Sequence, residues 1–153
     1  VIADCTPILL LDPVHRAVGI AHGGWKGTVR RIAAKTVLRM RQEFGTRPEE
    51  LLAAIGPSIG PCCYEVGPEV ERQFKEAFPG HEAKLFSHPD EEGGTHLSLW
   101  AANRLQLEEA GVLPEHIDEA RTFTACHHED FFSYRADGGR TGRLGAVIAL
   151  RPA

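Results

Sequence analysis

Apolar runs and polar breaks divide this chain into short alternating elements. "PILLLD" (7–12) and "RAVGIAH" (16–22) are nearly continuous in apolar character around the turn Asp12-Pro13-Val14-His15. They predict two neighbouring strands covered on both faces. Residues 28–45 place Val29, Ile32, Ala33, Thr36, Val37, Met40 and Phe44 on one side and Arg31, Lys35, Arg39 and Gln42 on the other. That spacing predicts a helix, with Gly45 as its left-handed stop.

"LLAAIG" (51–56) reads as a buried strand, and 57–67 as a loop rich in Gly and Pro. Residues 68–78 predict a helix with Pro68 near its start. Residues 80–95 read as surface connection with at most one short strand. A third helix is expected over 97–111, capped by Ser98 and stopped by Gly111. "IDEARTF" (117–123) reads as a strand, and "LGAVIAL" (144–150) as a buried last strand. Strands and helices mix without strict alternation, so the expected class is α+β rather than a doubly wound parallel sheet. No repeat or linker interrupts the chain, which reads as a single domain over 1–153.

Composition narrows the partners. The chain has 153 residues, 42% hydrophobic and 25% charged, in the range of ordinary globular proteins. A formal net charge of −4 argues against a nucleic-acid surface. No run approaches the roughly 20 apolar residues a membrane span needs. The four cysteines, Cys5, Cys62, Cys63 and Cys126, include no C-x-x-C pair, and adjacent Cys62 and Cys63 rarely bridge each other. A reducing, cytoplasmic setting is expected.

Candidate chemistry gathers in four stretches. Cys5 precedes the first strand and His22 ends the second. As neighbours they would make a zinc-type donor pair or a nucleophile–base pair. The bland alternative is a small hydrophobe and a strand-end histidine. "HGGWKG" (22–27) joins a strand to a helix. Gly23 and Gly24 could hold an anion on main-chain N–H groups, Lys26 could add charge, and Trp25 could stack on a planar ring. A tight turn with Trp25 packed beneath it is the competing reading. The 54–67 loop offers Ser58, Cys63 and Tyr64, with Cys62 read as a buried packing residue. "TACHHEDFFSYRADGGRTGR" (124–143) brings Tyr134 and the anion-binding candidates Arg135, Arg140 and Arg143. Cys126, His127 and His128 are crowded there, but adjacent side chains rarely aim at one ion.

Together, "ADCTPILLLD", "GIAHGGWKGTVRRI", "AIGPSIGPCCYEVG" and "FFSYRADGGRTGR" resemble the YfiH/YlmD family, also called the DUF152, laccase-domain or peptidoglycan-editing-factor family. The resemblance runs in family order from Val1 to about Leu150. It implies a layered α/β/β/α arrangement of mixed sheets flanked by helices. It also implies a zinc-type site of two histidines and one cysteine, with Cys5 as the cysteine and His22 as the second histidine. The first histidine would lie upstream of Val1, unless His15, His127 or a partner chain replaces it. On that reading the chain is an N-terminally incomplete copy, lacking about a third of a usual member's length. Ala136 departs from the family, which often has a second arginine there.

The resemblance implies phosphorolysis of adenosine, inosine and methylthioadenosine, with zinc-dependent adenosine deamination at the same site. The expected partners are a nucleoside and phosphate. Asp4 is the nearest general acid–base to the metal pair. Arg135, Arg143, Gly23, Gly24 and Lys26 would place the phosphate, Trp25 or Tyr134 would stack on the base, and Ser58 would offer a polar contact. Two alternatives remain open: a Cys–His hydrolase editing cell-wall precursors, and a polyphenol oxidase carrying copper. The chain has eight histidines but no His-x-His pair, which gives a multicopper centre no support.

Overall fold

The computed structural model describes residues 1–88 and 93–151. β1 (Thr6–Asp12) and β2 (Ala17–Gly23) form an antiparallel hairpin with Pro7 opposite His22. Asp12 shapes its turn. Its carboxylate accepts hydrogen bonds from the main-chain N–H of Val14 and of His15, each at 2.9 Å, the local bonding that favours aspartate in turns. α1 (Trp25–Val29), α2 (Ile32–Phe44) and β3 (Leu52–Ile55) follow. Then come β4 (Glu65–Val66), α3 (Pro68–Ala77), α4 (Glu82–Leu85), β5 (Phe86–Ser87) and β6 (Thr95–Leu97). α5 (Leu99–Glu109) and β7 (Ile117–Glu119) complete the regular elements.

The result is a mixed α+β fold with two sheets and flanking helices. The larger sheet has the order β2-β1-β3-β7, antiparallel except for the β3–β7 pair; the smaller has the order β4-β6-β5. Ile8, Leu10 and Ile55 on one face of the larger sheet pack with Ala33, Val37 and Met40 of α2 and with Trp100 and Leu107 of α5. A second core joins Phe74 and Phe78 to Leu85, Leu97 and Leu99. Ser98 caps α5, its hydroxyl accepting the N–H of Ala101 at 3.2 Å. Among the described residues, no helix is long and apolar enough to cross a membrane.

The helix expected over 28–45 is two helices. Arg31 takes a left-handed conformation, φ 63°, and breaks the run. Buried Gln106 spans the break: its Oε1 accepts the N–H of Ala33 and its Nε2 donates to the carbonyl of Thr28, at 3.1 and 3.0 Å. The N–H of Ala33, which a helix start leaves without a partner, is thereby satisfied, while the Thr28 carbonyl also accepts the N–H of Arg31 at 2.9 Å. Phe44, assigned to the core side, is 50% exposed because it lies in the last turn beside Gly45.

The strand expected over 144–150 is absent. Leu144 alone bridges to Ile2, and Val147 is 84% exposed. Among the described residues nothing pairs with the rest of that segment; its Ala146 and Ile148 border shallow hollows beside Pro7, Leu9 and Leu11. The outer face of the larger sheet is correspondingly open, with Ile20 50% and Leu52 43% exposed, not covered on both sides. The strand expected over 117–123 ends at Glu119. The 80–95 connection contains α4, β5 and the start of β6, and its residues 89–92 lie outside the described residues.

Candidate functional site

The hairpin register assembles the site. Thr6 pairs with Gly23 and Pro7 with His22, so Cys5, the residue before β1, stands beside Gly24 where the chain enters α1. A methyl carbon placed on Gly24 would stand 3.0 Å from Cys5 Sγ and 3.6 Å from His22 Nε2. The thiol and the imidazole therefore flank one point, and the absent Cβ leaves that point free. Gly23 is constrained in the same way: a Cβ there would meet Asn103 Nδ2 at 2.8 Å and the carbonyl of Thr6 at 3.0 Å. Cys5, His22, Gly24, Trp25, Lys26 and Gly27 line an open hollow of about 280 Å³. The Lys26 ammonium lies 5.3 Å from the centre of the Trp25 ring, whose inner edge packs on the second core.

A thiol and an imidazole nitrogen converging on a vacant point suit a zinc-type ion, and Cys5 and His22 fit as two of its ligands. No third histidine, cysteine or carboxylate among the described residues completes a cluster with them. His15 is held at the far end of the hairpin by Asp12, at 2.9 Å, and His127 faces Glu129 at 3.7 Å. Burial pushes the Cys5 thiol above its ordinary value of 9.0, the Asp4 charge pushes it further, and Arg143 opposes both.

The other expected residues take different places. Asp4 is nearly buried and left-handed, φ 74°. Its carboxylate accepts 2.7 Å hydrogen bonds from the Thr124 hydroxyl and from the Arg135 N–H, so it joins chain segments rather than facing the hollow. Ser58 is fully buried, and its hydroxyl accepts a 3.1 Å bond from that of Thr6. The Arg135 guanidinium donates to the carbonyls of Glu65 and Cys63 and lies over the Tyr64 ring at 5.4 Å. Arg143 donates to the carbonyls of Thr141 and Gly142 while remaining within electrostatic reach of Cys5. Tyr134 is exposed beside Gly139 and does not line the hollow.

Two groupings, of residues the sequence offers only singly, depend on the fold. Tyr64 lies partly buried near Cys5, and burial above all, with the Cys5 charge next, raises its phenol to about 12. Its proximity to Cys5 depends on how distant segments meet, which periodicity does not report. Cys62, Cys63 and Cys126 come together although the loops that carry them are far apart in sequence. Cys62 is exposed, not a buried packing residue, and neither His127 nor His128 joins Cys126 in that cluster.

Comparison with known proteins adds a lineage. A family model described as multi-copper polyphenol oxidoreductase laccase matches residues 1–151. A purine nucleoside phosphorylase of Bacteroides thetaiotaomicron is 43% identical over 149 residues, which is 97% of this chain and 54% of that protein. Adenosine deaminase RL5, from an unknown prokaryotic organism, is 41% identical over 141 residues, 92% of this chain and 53% of that protein. The crystal structure of Bacillus licheniformis hypothetical protein YfiH superposes with a TM-score of 0.87 at 41% identity, covering 93% of this chain and 53% of that one. The chain spans about half the length of the curated relatives it matches, less than the two thirds assigned from sequence.

Proposed function

The chain belongs to the family described as multi-copper polyphenol oxidoreductase laccase, and we propose that its Cys5–His22 hollow serves phosphorolysis of purine nucleosides. The observation that carries this reading is the convergence of Cys5 Sγ and His22 Nε2 above Gly24, beside an indole and an ammonium. The name of the Bacteroides relative, purine nucleoside phosphorylase, supports it. Adenosine, inosine and methylthioadenosine are the substrates it predicts.

The roles follow from chemistry. Trp25 stacks on the purine. Lys26 and Arg143 supply positive charge for phosphate, and Arg135 braces the loop around Tyr64. A phosphate oxygen forms a bond to C1′ of the ribose as the glycosidic C–N bond breaks. The electron pair leaves with the base, and a proton ends on its nitrogen. Charge placed against that departing base in the transition state accelerates the step. Cys5 and His22 would hold a zinc-type ion, which when bound acts as a Lewis acid or activates water. Four unbridged cysteines support a cytoplasmic setting.

Adenosine deamination is the second reading, favoured by the name of the 41% identical deaminase. The cysteine-hydrolase alternative is weaker. A nucleophilic cysteine is activated by a lowered pKa, whereas burial raises that of Cys5. Polyphenol oxidation finds no histidine cluster among the described residues, where the one group of three metal-type donors is all cysteine.

The deciding experiment measures base release from inosine with and without phosphate, on the gene product carrying this chain and on its Cys5→Ala variant. Hypoxanthine formed only with phosphate and only with Cys5 intact supports the proposal. Phosphate-independent ammonia release from adenosine supports the deaminase reading instead.

A further inference from the structure

We propose that Cys62, Cys63 and Cys126 form a separate metal site, a three-thiolate seat for a zinc-class ion whose fourth position opens to solvent. Their sulfurs stand 3.0, 3.4 and 3.6 Å apart. All three are free thiols, and they share no donor atom with the Cys5–His22 pair. The site does not depend on the phosphorylase reading.

Geometry selects the ion. A centre at the ~2.3 Å Zn–S distance from all three sulfurs lies about 1.2 Å out of their plane. Three sulfurs below an ion form the base of a tetrahedron. A planar three-sulfur centre at the same bond length would instead need separations of about 4.0 Å, beyond every pair here. The tetrahedral arrangement needs separations of about 3.8 Å at that bond length, so the triangle opens by about 0.8 Å between Cys62 and Cys126 and by less at its other two sides. Cys62 and Cys126 are exposed, so an ion can enter and water can fill the apex. Thiolate donors also exclude the hard cations magnesium and calcium.

A bound cation would counter the charge of the three thiolates. Burial raises the thiols of Cys62 and Cys63, and a shared hydrogen bond to Cys62 raises that of Cys126. Three adjacent sulfurs do not ionise together unaided. A divalent ion replaces three S–H protons with three metal–sulfur bonds, leaving a net charge of −1 on the centre and three protons in solution. The Arg135 guanidinium, bonded to the carbonyls of Cys63 and Glu65, lies nearby to offset that charge.

The position gives the ion a structural consequence. Cys62 and Cys63 belong to the loop entering β4, and Cys126 to the turn that leads toward Arg135. These segments already meet through the Thr124 N–H bond to the Ser58 carbonyl, at 3.0 Å. An ion would add a cross-link and hold Tyr64, next to Cys63, toward Cys5.

The test uses chelator-stripped, fully reduced protein. Zinc is added under inert gas, free thiols are then alkylated with iodoacetamide, and peptides are read by mass spectrometry. The expected result is joint protection of Cys62, Cys63 and Cys126, with proton release into a weakly buffered solution. Cys126→Ser should remove protection from both Cys62 and Cys63. It should weaken zinc binding in a Cys5→Ala background by more than the roughly 10–100-fold lost with an outer-shell partner. Circular dichroism checks that each variant is folded. If a variant does not fold, sulfur counting by X-ray absorption on zinc-loaded wild-type protein replaces it, with three-sulfur centres expected. Alkylation of all three cysteines unchanged by zinc overturns the proposal, as does zinc binding unaffected by Cys126→Ser or an absorption spectrum without a three-sulfur shell.

Discussion

The carboxylate of Asp4 accepts a 2.7 Å hydrogen bond from the main-chain N–H of Arg135, 131 positions along the chain. Its other oxygen accepts the Thr124 hydroxyl, also at 2.7 Å. One side chain thus joins the segment before β1 to the loop that supplies the arginines. Its place beside Cys5 serves the architecture.

Asp4→Asn checks that assignment. Both partners are donors, so one oxygen is replaced by an amide that cannot accept either bond. A buried donor left without a partner costs about 1–3 kcal/mol. The expected outcome is a lower thermal midpoint, while the pH profile of any nucleoside cleavage keeps its shape. A profile that loses an ionisation, with the midpoint unmoved, would return Asp4 to the role of general acid–base.

Gly24→Ala probes the meeting of Cys5 and His22. The added methyl would touch the thiol at 3.0 Å and the imidazole at 3.6 Å. Gly24 has φ −71°, which alanine adopts without strain. The substitution should therefore leave unfolding within about 1 kcal/mol of wild type while lowering zinc uptake at Cys5 and His22. Metal titration of the Cys126→Ser background isolates that pair. Unchanged uptake would mean the two donors do not share the space above Gly24.

What the sequence reveals divides along the range of the forces involved. The hairpin, α3 and α5 with its Ser98 cap arise from local spacing and short-range hydrogen bonds, so they are readable from residues alone. Cys5 and His22 are readable because a tight hairpin fixes their register. The break at Arg31 is not, because Gln106 on α5 bonds to both sides of it from more than 70 positions away. The 144–150 run reads as a strand from its side chains, but a strand needs a neighbour for its main chain, and among the described residues only Leu144 has one. The buried bond from Thr6 to Ser58 joins positions 52 apart and is invisible to local spacing. The cysteine triangle depends wholly on how two distant loops meet.

Gln106→Leu tests the bridge across the helix break. Leucine fills similar space but offers neither bond, leaving the N–H of Ala33 and the carbonyl of Thr28 without these partners. The carbonyl keeps the N–H of Arg31 at 2.9 Å, so the one orphaned donor, the N–H of Ala33, costs about 1–3 kcal/mol. Chemical denaturation should show a clear drop in midpoint. Hydrogen exchange should speed up first around residues 25–33, where α1 carries the tryptophan and lysine of the hollow. Uniform exchange across the chain would instead indicate a global loss without a local hinge.

Asp12 supplies a pH-dependent contribution whose sign can be worked out. Burial acts to raise its carboxyl, but the main-chain N–H of His15 and further hydrogen bonds prevail, so the folded value lies below the ordinary 3.8. A carboxyl lowered in the folded state stabilises the fold above its unfolded pKa, about 3.9. That contribution fades as pH falls from there through the folded value. Wild-type protein should therefore lose stability on acidification below about pH 4. The Asp12→Asn variant would keep a side-chain oxygen for the turn N–H groups but have no charge to lose. Urea midpoints at pH 6 and pH 3 provide the comparison, and the variant should show the smaller fall. An equal fall in both proteins would place the acid sensitivity in other carboxylates.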